Sequence, residues 1–468
     1  MQFVAPLLGD DTLNSWTPAL DPKEKPIYLA IVSAIESDLG SGRLRPGAQL
    51  PPQRKLADIL DVDFTTVSRA YAEGRRRGLL EAVVGRGTFV KGANRPAGTA
   101  SPRDMSMNQP PVPTDPQLGT RIAESFQMVA SSQNLEDLMR YQIPGGSDED
   151  REAGAAWLSA RLPDVETDKL MLFPGTQSAL SSIIGTLVPA GQTLAAEALC
   201  YPGVKAIAAQ TGFKISGIEM DCDGVLPEAF ARICTQQKPA ALYLNPTLHN
   251  PTTATLALGR RLALIEIARK YDVPIVEDDA YGCLCGQGLP PLAALAPDIT
   301  YHVSGLSKGV SPALRVAYAI APDRRALNRL VFAARSGGGM MPPLSSALAT
   351  HWISTGLAAD INASIRHETR ARAEIASACL EPALLQSTPD AFHAYLHLPQ
   401  GWTRGEFVAR LHGTGIHPVP SDAFALTQPP ETVRLSLGTP ATRDDLARGL
   451  TRIGDLLSAS PAMGAMIV

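Results

Sequence analysis

Residues 301–318, YHVSGLSKGVSPALRVAY, place one lysine, Lys308, between two apolar runs that each have the length of a β-strand. The whole chain has 10 lysines against 32 arginines, so the position of this lysine is informative. An amine held among apolar strands is expected to have a lowered pKa and to act as a nucleophile. Ser307 and Arg315 flank it, and an arginine at that place suits a phosphate group. On these residues alone, Lys308 could also be an exposed loop lysine.

Strand-like and helix-like segments alternate around this stretch. The apolar runs of strand length are 169–173, 192–197, 240–244, 273–278, 299–304 and 316–321. Helical spacing recurs between them, in 178–188 and 256–271. This alternation predicts an α/β fold with a mostly parallel, doubly wound sheet, in which ligands bind beyond the carboxyl ends of the strands. After residue 330, helices and the short strands 393–399 and 432–437 predict a smaller α+β lobe.

Two clusters in this region carry groups for an anion. Gly175, Thr176 and Gln177, in FPGTQSAL, follow a strand and open a helix. The N–H groups and the dipole at a helix N-terminus favour a phosphate. Asn250, in the run YLNPTLHNPTT, could donate its side-chain amide to an anionic oxygen, although an Asn-Pro pair also forms ordinary turns.

A third cluster, VPIVEDDAYG at residues 273–282, ends an apolar strand in three consecutive acids. Buried acids need a cation, and a protonated ring nitrogen would supply one. Asp278 and Tyr281 are three residues apart, close enough to address two edges of one aromatic ligand. The alternative is a surface turn held by salt bridges.

The N-terminal part of the chain differs in charge from the rest. Residues 21–93 carry 12 Lys and Arg against 9 Asp and Glu, whereas the whole chain has a net charge of −4. Apolar spacing predicts helices over 27–39, 51–60 and 65–78, followed by a hairpin over 79–90. A basic helical module of this kind could bind nucleic acid through phosphate contacts, or it could be a small domain whose arginines face water.

Composition excludes several classes of protein. A chain of 468 residues, 45% apolar and 19% charged, can bury large cores and is not a disordered protein. No apolar run approaches the ~20 residues that a bilayer span needs, and the N-terminus makes a poor signal peptide. Six cysteines without a CxxC pair predict neither a disulfide framework nor a metal site. These features predict a cytoplasmic protein.

The basic module resembles the winged helix-turn-helix of GntR-type bacterial regulators. The matching pieces are PIY, G-x-L-x-PG-x-x-LP-x-x-R-x-LA, TTV-x-R-AY and G-x-GTFV. The resemblance implies binding to a double-stranded DNA operator by the following residues: Arg54, Thr65, Thr66 and Arg69, with Gly87 in the wing. Phe64 stands just before the threonines, where many relatives have arginine, so the usual operator preference of the family is not carried over.

The larger region resembles the fold type I aminotransferases in G-T-Q, N-P-T, D-x-A-Y and S-K-x6-R, in the order of that family. The resemblance implies that pyridoxal phosphate forms an aldimine with Lys308. Asp278 would pair with the pyridinium nitrogen, and Asn250 and Tyr281 would hold the ring oxygen. The residues that would hold the phosphate are Thr176, Gln177, Ser307 and Arg315.

Three further positions match the same family. Tyr201, in EALCYPG, would stack on the cofactor ring, and Arg434, in TVRLSL, would bind a ligand carboxylate as a bidentate pair. Tyr141, in RYQIPGG, matches the tyrosine that reaches the phosphate of the neighbouring subunit, which implies a homodimer. Two positions depart from the pattern: Gly305 stands where serine is frequent, and Thr253 stands where glycine is usual.

The two resemblances together are those of MocR/GabR-type transcriptional regulators. We therefore expect a DNA-binding domain at 21–92, a linker at 93–104 and an aminotransferase-like domain at 105–468. The interpretation is a regulator, dimeric and head-to-tail, that senses an amine, an amino acid or pyridoxal phosphate itself through Lys308, with binding rather than turnover as its role. The alternatives are a working aminotransferase with an accessory DNA-binding module, and a DNA-binding module on an inactive structural domain.

Overall fold

The computed structural model describes residues 16–20, 25–40, 43–44, 48–77, 79–83, 87–90, 103–113, 115–132, 138–286, 288–337 and 340–459. The chain divides into two compact units, residues 1–99 and 100–468. Most of the predicted linker, residues 93–102, lies outside the described residues.

The first unit has three helices and a two-stranded antiparallel sheet. Its elements are α1 (Ile27–Gly40), α2 (Gln53–Leu60), α3 (Phe64–Arg76), β1 (Leu80–Val83) and β2 (Gly87–Val90). Ile31 and Ile35 of α1 pack with Val67 and Tyr71 of α3 in one buried core. This arrangement confirms the predicted three helices and hairpin. The middle of the predicted hairpin, residues 84–86, lies outside the described residues.

Helix α3 begins one residue earlier than predicted because Asp63 caps it. The Asp63 carboxylate accepts a hydrogen bond from the backbone N of Thr65 at 2.7 Å, which satisfies one of the free N–H groups of the first turn. Tyr71, fully buried, donates its hydroxyl to the Pro51 carbonyl at 2.8 Å and thereby ties α3 to the start of α2.

The second unit is larger. The helices in its described part are α4 (Pro116–Ser132), α5 (Asp148–Leu158), α6 (Thr176–Leu187), α7 (Pro202–Thr211), α8 (Pro227–Gln237), α9 (Leu258–Lys270), α10 (Leu292–Leu295), α11 (Leu306–Gly309), α12 (Arg324–Ser336), α13 (Pro343–Ser354), α14 (Leu357–Cys379), α15 (Arg404–Leu411) and α16 (Arg443–Ser458). The strands there are β3 (Leu170–Phe173), β4 (Thr193–Glu197), β5 (Lys214–Ile218), β6 (Met220–Asp221), β7 (Gly224–Val225), β8 (Ala241–Leu244), β9 (Ile275–Asp278), β10 (Thr300–Gly305), β11 (Ala317–Ile320), β12 (Leu385–Gln386), β13 (His393–His397), β14 (Val419–Pro420) and β15 (Thr432–Ser436).

Seven strands form one sheet in the order β3-β11-β10-β9-β8-β4-β5. All neighbouring pairs are parallel except those of β11, which runs antiparallel to both of its neighbours. The connection from β10 to β11 covers only residues 306–316, shorter than the dozen or more residues that a parallel crossover needs. The predicted mostly parallel α/β sheet is confirmed, with this one strand reversed for lack of chain.

The smaller lobe is an antiparallel sheet in the order β12-β13-β15-β14, covered by helices. Its core includes Phe407 of α15 and Leu446 and Leu450 of α16, all fully buried. Met105 is buried in the same core, so the chain joins this lobe directly after the predicted linker. The predicted α+β lobe is confirmed.

The sheet brings the loops of interest to one edge. Parallel strands β3, β8 and β9 end their carboxyl sides on the same side as β4 and β10, because parallel strands share a direction. The loops and helix starts after these strands carry the residues Thr176, Tyr201, Asn250, Tyr281 and Lys308. No helix among the described residues has the length and apolar character needed to cross a membrane.

Two glycines predict opposite effects on stability when alanine replaces them. A Cβ on Gly154 of α5 would lie 2.5 Å from the ring of Tyr318, a fully buried side chain of β11, whereas a Cβ on Gly185 of α6 meets nothing within 4 Å. We expect Gly154→Ala to lower the free energy of unfolding by about 1–3 kcal/mol through overpacking. Gly185→Ala should raise it by up to about 1 kcal/mol, since alanine favours helix. Chemical denaturation of the two variants checks this, and equal stabilities would contradict the packing described.

Candidate functional site

A cavity of about 180 Å³ lies at the carboxyl edge of the large sheet. The residues predicted from the sequence that line it are Thr176, Tyr201, Asn250, Asp278, Tyr281, Ser307, Lys308 and Arg434. These residues come from clusters spread over more than half of the chain, and the fold places them around one space.

Asp278, the last residue of β9, is the buried acid of the cavity. Its Oδ2 accepts the Tyr243 hydroxyl at 2.8 Å, and its Oδ1 has no hydrogen-bond partner in the part of the chain that the structure describes. Burial raises the pKa of Asp278 to about 7; the Tyr243 hydrogen bond opposes the shift, and the carboxylates of Asp279 and Glu197 add to it. A carboxylate in this state would gain from a cationic N–H donor placed at Oδ1.

The two acids beside Asp278 point to the opposite face of the sheet and already have partners. Glu277 accepts a hydrogen bond from the backbone N of Leu292 at 2.6 Å and lies 2.9 Å from the ring nitrogen of His302. Asp279 forms an ion pair with Arg161 at 2.9 Å. The sequence prediction that three acids need a cation therefore holds only for Asp278 on the cavity side.

Lys308 follows β10 within the short helix α11, and its side chain is largely shielded from water. Burial lowers the pKa of Lys308 to about 8; the nearby Arg434 and Arg315 guanidinium groups add to this shift, and Asp278 opposes it. The Lys308 Nζ donates to the Asn108 carbonyl and lies 5.8 Å from the centre of the Tyr281 ring. The lysine is thus a half-buried amine whose pKa is lowered in the direction that the sequence predicts.

Arg434, in the middle of β15, enters the cavity from the smaller lobe. It is 6% exposed and makes no ion pair among the described residues. Its Nη1 donates to Asn250 Oδ1 at 3.2 Å, its Nη2 donates to the Ser106 carbonyl, and its Nε has no partner. Burial lowers the pKa of Arg434. A buried guanidinium without a carboxylate is costly, and an anionic ligand would compensate it.

The groups predicted to hold a phosphate gather at the N-terminus of α6. Gly175 caps this helix with φ +94°, and a Cβ there would lie 2.7 Å from an Nη atom of Arg315. Arg315 itself has φ +52° and is exposed, so its guanidinium reaches the helix end from the β10–β11 connection. Thr176 and Ser307 line the cavity beside it. Backbone N–H groups, hydroxyls and a guanidinium together suit a phosphate.

Gln177 is placed differently from the prediction. Its Nε2 donates to the Gly203 carbonyl at 2.9 Å, which fastens α6 to α7, and the residue does not line the cavity. Its Oε1 is buried without a partner. Gln177 therefore supports the helix whose N-terminus faces the cavity.

The two departures from the family pattern have local structural consequences. A Cβ on Gly305 would lie 2.5 Å from Thr176 Oγ1, so glycine leaves room for that hydroxyl. Ser304 lines a separate cavity with His302 and does not take the place of the missing serine. Thr253 is buried at φ +65°, a conformation that costs a residue with a side chain about 1–2 kcal/mol.

Several residues that line the cavity were not predicted from the sequence. Asn245 donates its amide to the Asp278 carbonyl at 2.7 Å and accepts from the Asn250 backbone at 2.9 Å, so it fixes two predicted site residues. The first Asn-Pro pair in YLNPTLHNPTT was the available signal. Asn108 donates to the Tyr281 hydroxyl at 2.9 Å, and its position just after a predicted linker gave no signal.

A buried arginine holds the loop that carries Asn250. Arg261, in α9, is fully buried and donates to the carbonyls of Leu256 at 2.8 Å and Pro246 at 2.9 Å. It also donates to Thr247 Oγ1 at 3.0 Å. The Pro246 carbonyl also accepts from the backbone N of Leu256 at 2.9 Å, so the two ends of this loop are tied to each other and to α9.

Tyr141 does not line the cavity of its own chain. Its side chain is 96% exposed, and it shares its surroundings with Met139 and Ile143, which are also exposed. An aromatic side chain left this open is consistent with the prediction that it acts on a second copy of the chain.

The residues predicted to contact DNA lie on the surface of the first unit. Thr65 and Arg69 of α3 and Arg54 of α2 are exposed, and Thr66 is half-buried. The Arg69 guanidinium lies 4.4 Å from the centre of the Tyr28 ring. Phe64, at the start of α3, exposes 45% of its surface, so an aromatic ring stands beside the polar groups of this helix.

The hairpin and the end of α3 give two further details. Gly87 is exposed with φ +114°, and a Cβ there would lie 2.8 Å from the Gln49 amide nitrogen, so the wing strand needs glycine at this point. Arg76 and Arg77 at the end of α3 both form ion pairs with Glu73, at 2.6 and 2.8 Å. Their charge is therefore partly balanced within the helix.

Comparison with known proteins agrees with both units. Residues 27–90 match the family of bacterial regulatory proteins named gntR, and residues 103–453 match aminotransferase class I and II. An uncharacterized HTH-type transcriptional regulator of Bacillus subtilis (strain 168), YdeF, is 28% identical over 450 residues, 95% of this chain and 97% of the relative. The vitamin B6 salvage pathway transcriptional repressor PtsJ of Salmonella typhimurium is 26% identical over 61% of this chain and 66% of the relative.

Among solved structures, the fold is similar to LysN, an α-aminoadipate aminotransferase from Thermus thermophilus complexed with N-(5'-phosphopyridoxyl)-L-leucine. The TM-score is 0.69 with 23% identity, over 78% of this chain and 93% of LysN. The chain thus belongs to the aminotransferase class I and II family and carries a GntR-type helix-turn-helix before that domain, as the MocR-type transcriptional regulators do.

Proposed function

We propose that the protein is a DNA-binding transcriptional regulator that senses an amine with a carboxylate, such as an amino acid, at the cavity of its second unit. The observation that carries this proposal is that Arg434 is buried without an ion-pair partner among the described residues, in the same cavity as Lys308. One half-buried amine and one buried guanidinium suit a ligand that has a carboxylate and occupies the space between them.

The residues of the cavity fit pyridoxal phosphate, the cofactor that the aminotransferase family indicates. The unpartnered Asp278 Oδ1 suits a protonated ring nitrogen, and Asn250 and Tyr281 suit the ring oxygen. The N-terminus of α6, where Gly175 leaves room for the Arg315 guanidinium, suits the phosphate. Thr176, Ser307 and Tyr201 complete the lining, and Gln177 supports it through Gly203. The cofactor supplies an electrophilic carbon that binds amines covalently and a ring that withdraws electrons.

The side chains of the chain itself have separate roles in this proposal. Lys308 is the amine that would hold the cofactor, and its lowered pKa keeps a share of it neutral and nucleophilic near neutral pH. Asp278 stabilises a cation at the ring nitrogen, and Tyr243 orients the Asp278 carboxylate. Arg434 binds the ligand carboxylate and so fixes the orientation of the ligand amine towards Lys308.

The DNA-binding part rests on residues 21–92, with 93–104 as linker and 105–468 as the sensing domain. Arg54, Thr65, Thr66 and Arg69 contact the operator and Gly87 allows the wing, in a protein that acts in the cytoplasm where the DNA is. The dimer is head-to-tail, with Tyr141 reaching the phosphate of a second copy; its exposure supports this role. A ligand that binds two arrangements of this dimer differently shifts their populations and thereby the affinity for DNA.

Two other functions have an observation in their favour. The set Lys308, Asp278, Tyr281 and Arg434 is sufficient for an aminotransferase, and the fold is similar to LysN. Conversion of the bound cofactor by an amino acid, reversed by a keto acid, would identify that activity. Pyridoxal phosphate itself is the second candidate effector, because the chain is similar to PtsJ, a repressor of vitamin B6 salvage. DNA affinity that changes with the cofactor and ignores amino acids would favour it.

The lowered pKa of Lys308 predicts how cofactor uptake depends on pH. Only the neutral amine attacks a carbonyl, and the neutral fraction of Lys308 rises as pH rises through about 8 instead of through the ordinary value for lysine. We expect the visible absorption band to form faster as the pH is raised from ~6.5 to ~9 and then to level off, because the amine is by then mostly neutral. Stopped-flow absorbance of the cofactor-free protein mixed with pyridoxal phosphate checks this.

Two lysine variants control this experiment. Lys308→Ala should give no protein-bound band, whereas Lys270→Ala, at an exposed helix end, should behave like the unchanged protein. A band of normal intensity in Lys308→Ala would show that another residue holds the cofactor.

We expect Arg434→Gln to weaken selectively the binding of ligands that have a carboxylate. A bidentate charge-assisted pair contributes about 1.5–3 kcal/mol, so affinity for an amino acid that shifts the absorption band should fall about 10- to 100-fold. The same amine without its carboxylate should bind both proteins alike. Titration monitored by the absorption band measures both values, and an equal loss for the two ligands would mean that the variant damages the cavity in general.

We expect Arg54→Ala to lower the affinity for DNA to the same extent for every DNA sequence. Removing one phosphate contact should weaken binding to operator and unrelated DNA alike and reduce the slope of log K against log salt by about 1. Fluorescence anisotropy at several salt concentrations, with DNA from the protein's own promoter region, measures it. Arg335→Ala, an exposed arginine of the second unit, is the control. Absence of specific DNA binding in the unchanged protein would refute the proposed function.

A further inference from the structure

A short segment of backbone lines part of the cavity. Residues 105–109, MSMNQ, which we call the strap, come directly after the predicted linker. The Ser106 carbonyl accepts from Arg434 Nη2, and the Asn108 carbonyl accepts from Lys308 Nζ. The Asn108 side chain donates to the Tyr281 hydroxyl at 2.9 Å. Three groups of the proposed ligand site are therefore bound to the strap.

The strap occupies the place of a ligand carboxylate. Arg434 donates to the Ser106 carbonyl, a neutral acceptor, while its Nε has no partner. A carboxylate adds ionic attraction to its hydrogen bonds with a guanidinium and can accept two of them at once, whereas a neutral carbonyl does not carry that charge. Because Arg434 is buried, this difference is large, and a ligand carboxylate would replace the Ser106 carbonyl.

The strap is held by apolar packing at Met105 and by hydrogen bonds at the residues after it. Met105 is fully buried in the core of the smaller lobe, and its carbonyl accepts from the Ser436 backbone at 2.9 Å. Met107 is 64% exposed, and its carbonyl accepts a hydrogen bond from the hydroxyl of Thr439 at 2.5 Å. The strap beyond Met105 thus depends on polar contacts, and the contact at Arg434 is one that a ligand carboxylate would replace.

The strap approaches the smaller lobe closely because of one glycine. A Cβ on Gly438 would lie 2.0 Å from the Gln109 carbonyl oxygen and 3.1 Å from the backbone N of Pro111, both backbone atoms that cannot turn aside. The loop after β15 thus accepts the strap only with glycine at 438. We expect a larger residue there to displace the strap while leaving the Lys308 and Arg434 side chains themselves unsubstituted.

We infer that the strap is an internal competitor for the carboxylate subsite at Arg434, and that a ligand carboxylate displaces it. The inference rests on the proposed function and names its regulation. Residues 103 and 104 precede the strap and continue into the linker, so displacement changes the restraint on the chain that leads to the DNA-binding unit. An amine without a carboxylate leaves the strap in place and does not change DNA binding.

The test measures backbone hydrogen exchange of residues 103–113 by mass spectrometry, in the full-length protein loaded with pyridoxal phosphate. The probes are the proteinogenic L-α-amino acids and, for each one that shifts the absorption band, the amine that lacks its carboxylate. We expect the amino acid to raise exchange in this segment at least about 3-fold through local opening and the amine to leave it unchanged. Unchanged or slower exchange at a saturating amino acid concentration overturns the inference.

A variant displaces the strap by substitution instead of by a ligand. Gly438→Ala should raise exchange of residues 103–113, change affinity for promoter DNA in the direction that the amino acid does, and increase amino acid affinity about 3- to 10-fold because the competitor is weakened. Gly405→Ala, in the same lobe with nothing within 4 Å of its Cβ, is the matched control. Asn108→Ala, which removes the contact with Tyr281, serves if Gly438→Ala does not fold.

The outcomes separate the two proposals. Faster exchange in Gly438→Ala, with ligand and DNA affinities equal to those of Gly405→Ala, overturns the strap and leaves the proposed function intact. If no amino acid shifts the absorption band, sensing of amino acids is wrong. In that case an altered DNA affinity of Gly438→Ala still supports the link from strap to DNA, and an unaltered one overturns it.

Discussion

A buried guanidinium, a buried carboxylate and a half-buried amine share a cavity of about 180 Å³, and the arrangement around them depends on the need to keep those charges stable. Asp278 ends a strand of the large sheet, Lys308 lies in the short helix that follows the next strand, and Arg434 comes from the smaller lobe. Among the described residues, Asp278 and Arg434 each keep a buried polar atom without a partner, and Lys308 donates to a neutral carbonyl. Buried charges of this kind raise the energy of the free protein, and a ligand with complementary groups lowers it. The cavity therefore suits a charged ligand, and its lining residues come from both lobes.

The pleat of the sheet decides which acid remains available. Successive residues of β9 point to opposite faces, and the register pairs Glu277 with His302 and Asp278 with Val303. One face pairs its acids with Arg161 and His302, while the other leaves Asp278 with a single tyrosine donor. Burial raises the pKa of Asp278 to about 7, and the Asp279 carboxylate adds to this shift although it is paired with Arg161.

Much of this could be predicted from the sequence, for a physical reason. Most predicted site residues come after an apolar run of strand length, and parallel strands bring the loops at their carboxyl ends to one edge. Asn108 could not be found in this way, since it contacts Tyr281 across 173 residues and lies beside a segment with the composition of a linker. The sheet face on which Ser304 lies could not be predicted either, because it depends on where the strand begins, and a shift of one residue moves a side chain to the opposite face. The ion pair of Arg76 with Glu73 could not be predicted, because the spacing of three residues permits it but the side-chain rotamers decide whether it forms.

The brevity of the connection between β10 and β11 has a mechanical meaning. Lys308 and Arg315 both lie within residues 306–316, and both ends of that segment are fixed in the interior of a seven-stranded sheet. The backbone at these two residues therefore has little freedom to move when a ligand binds. Arg434, by contrast, belongs to a separate four-stranded sheet. In the proposed function, the Lys308 side of the cavity would therefore stay in place, and ligands of different length would be accommodated by displacement of the Arg434 side.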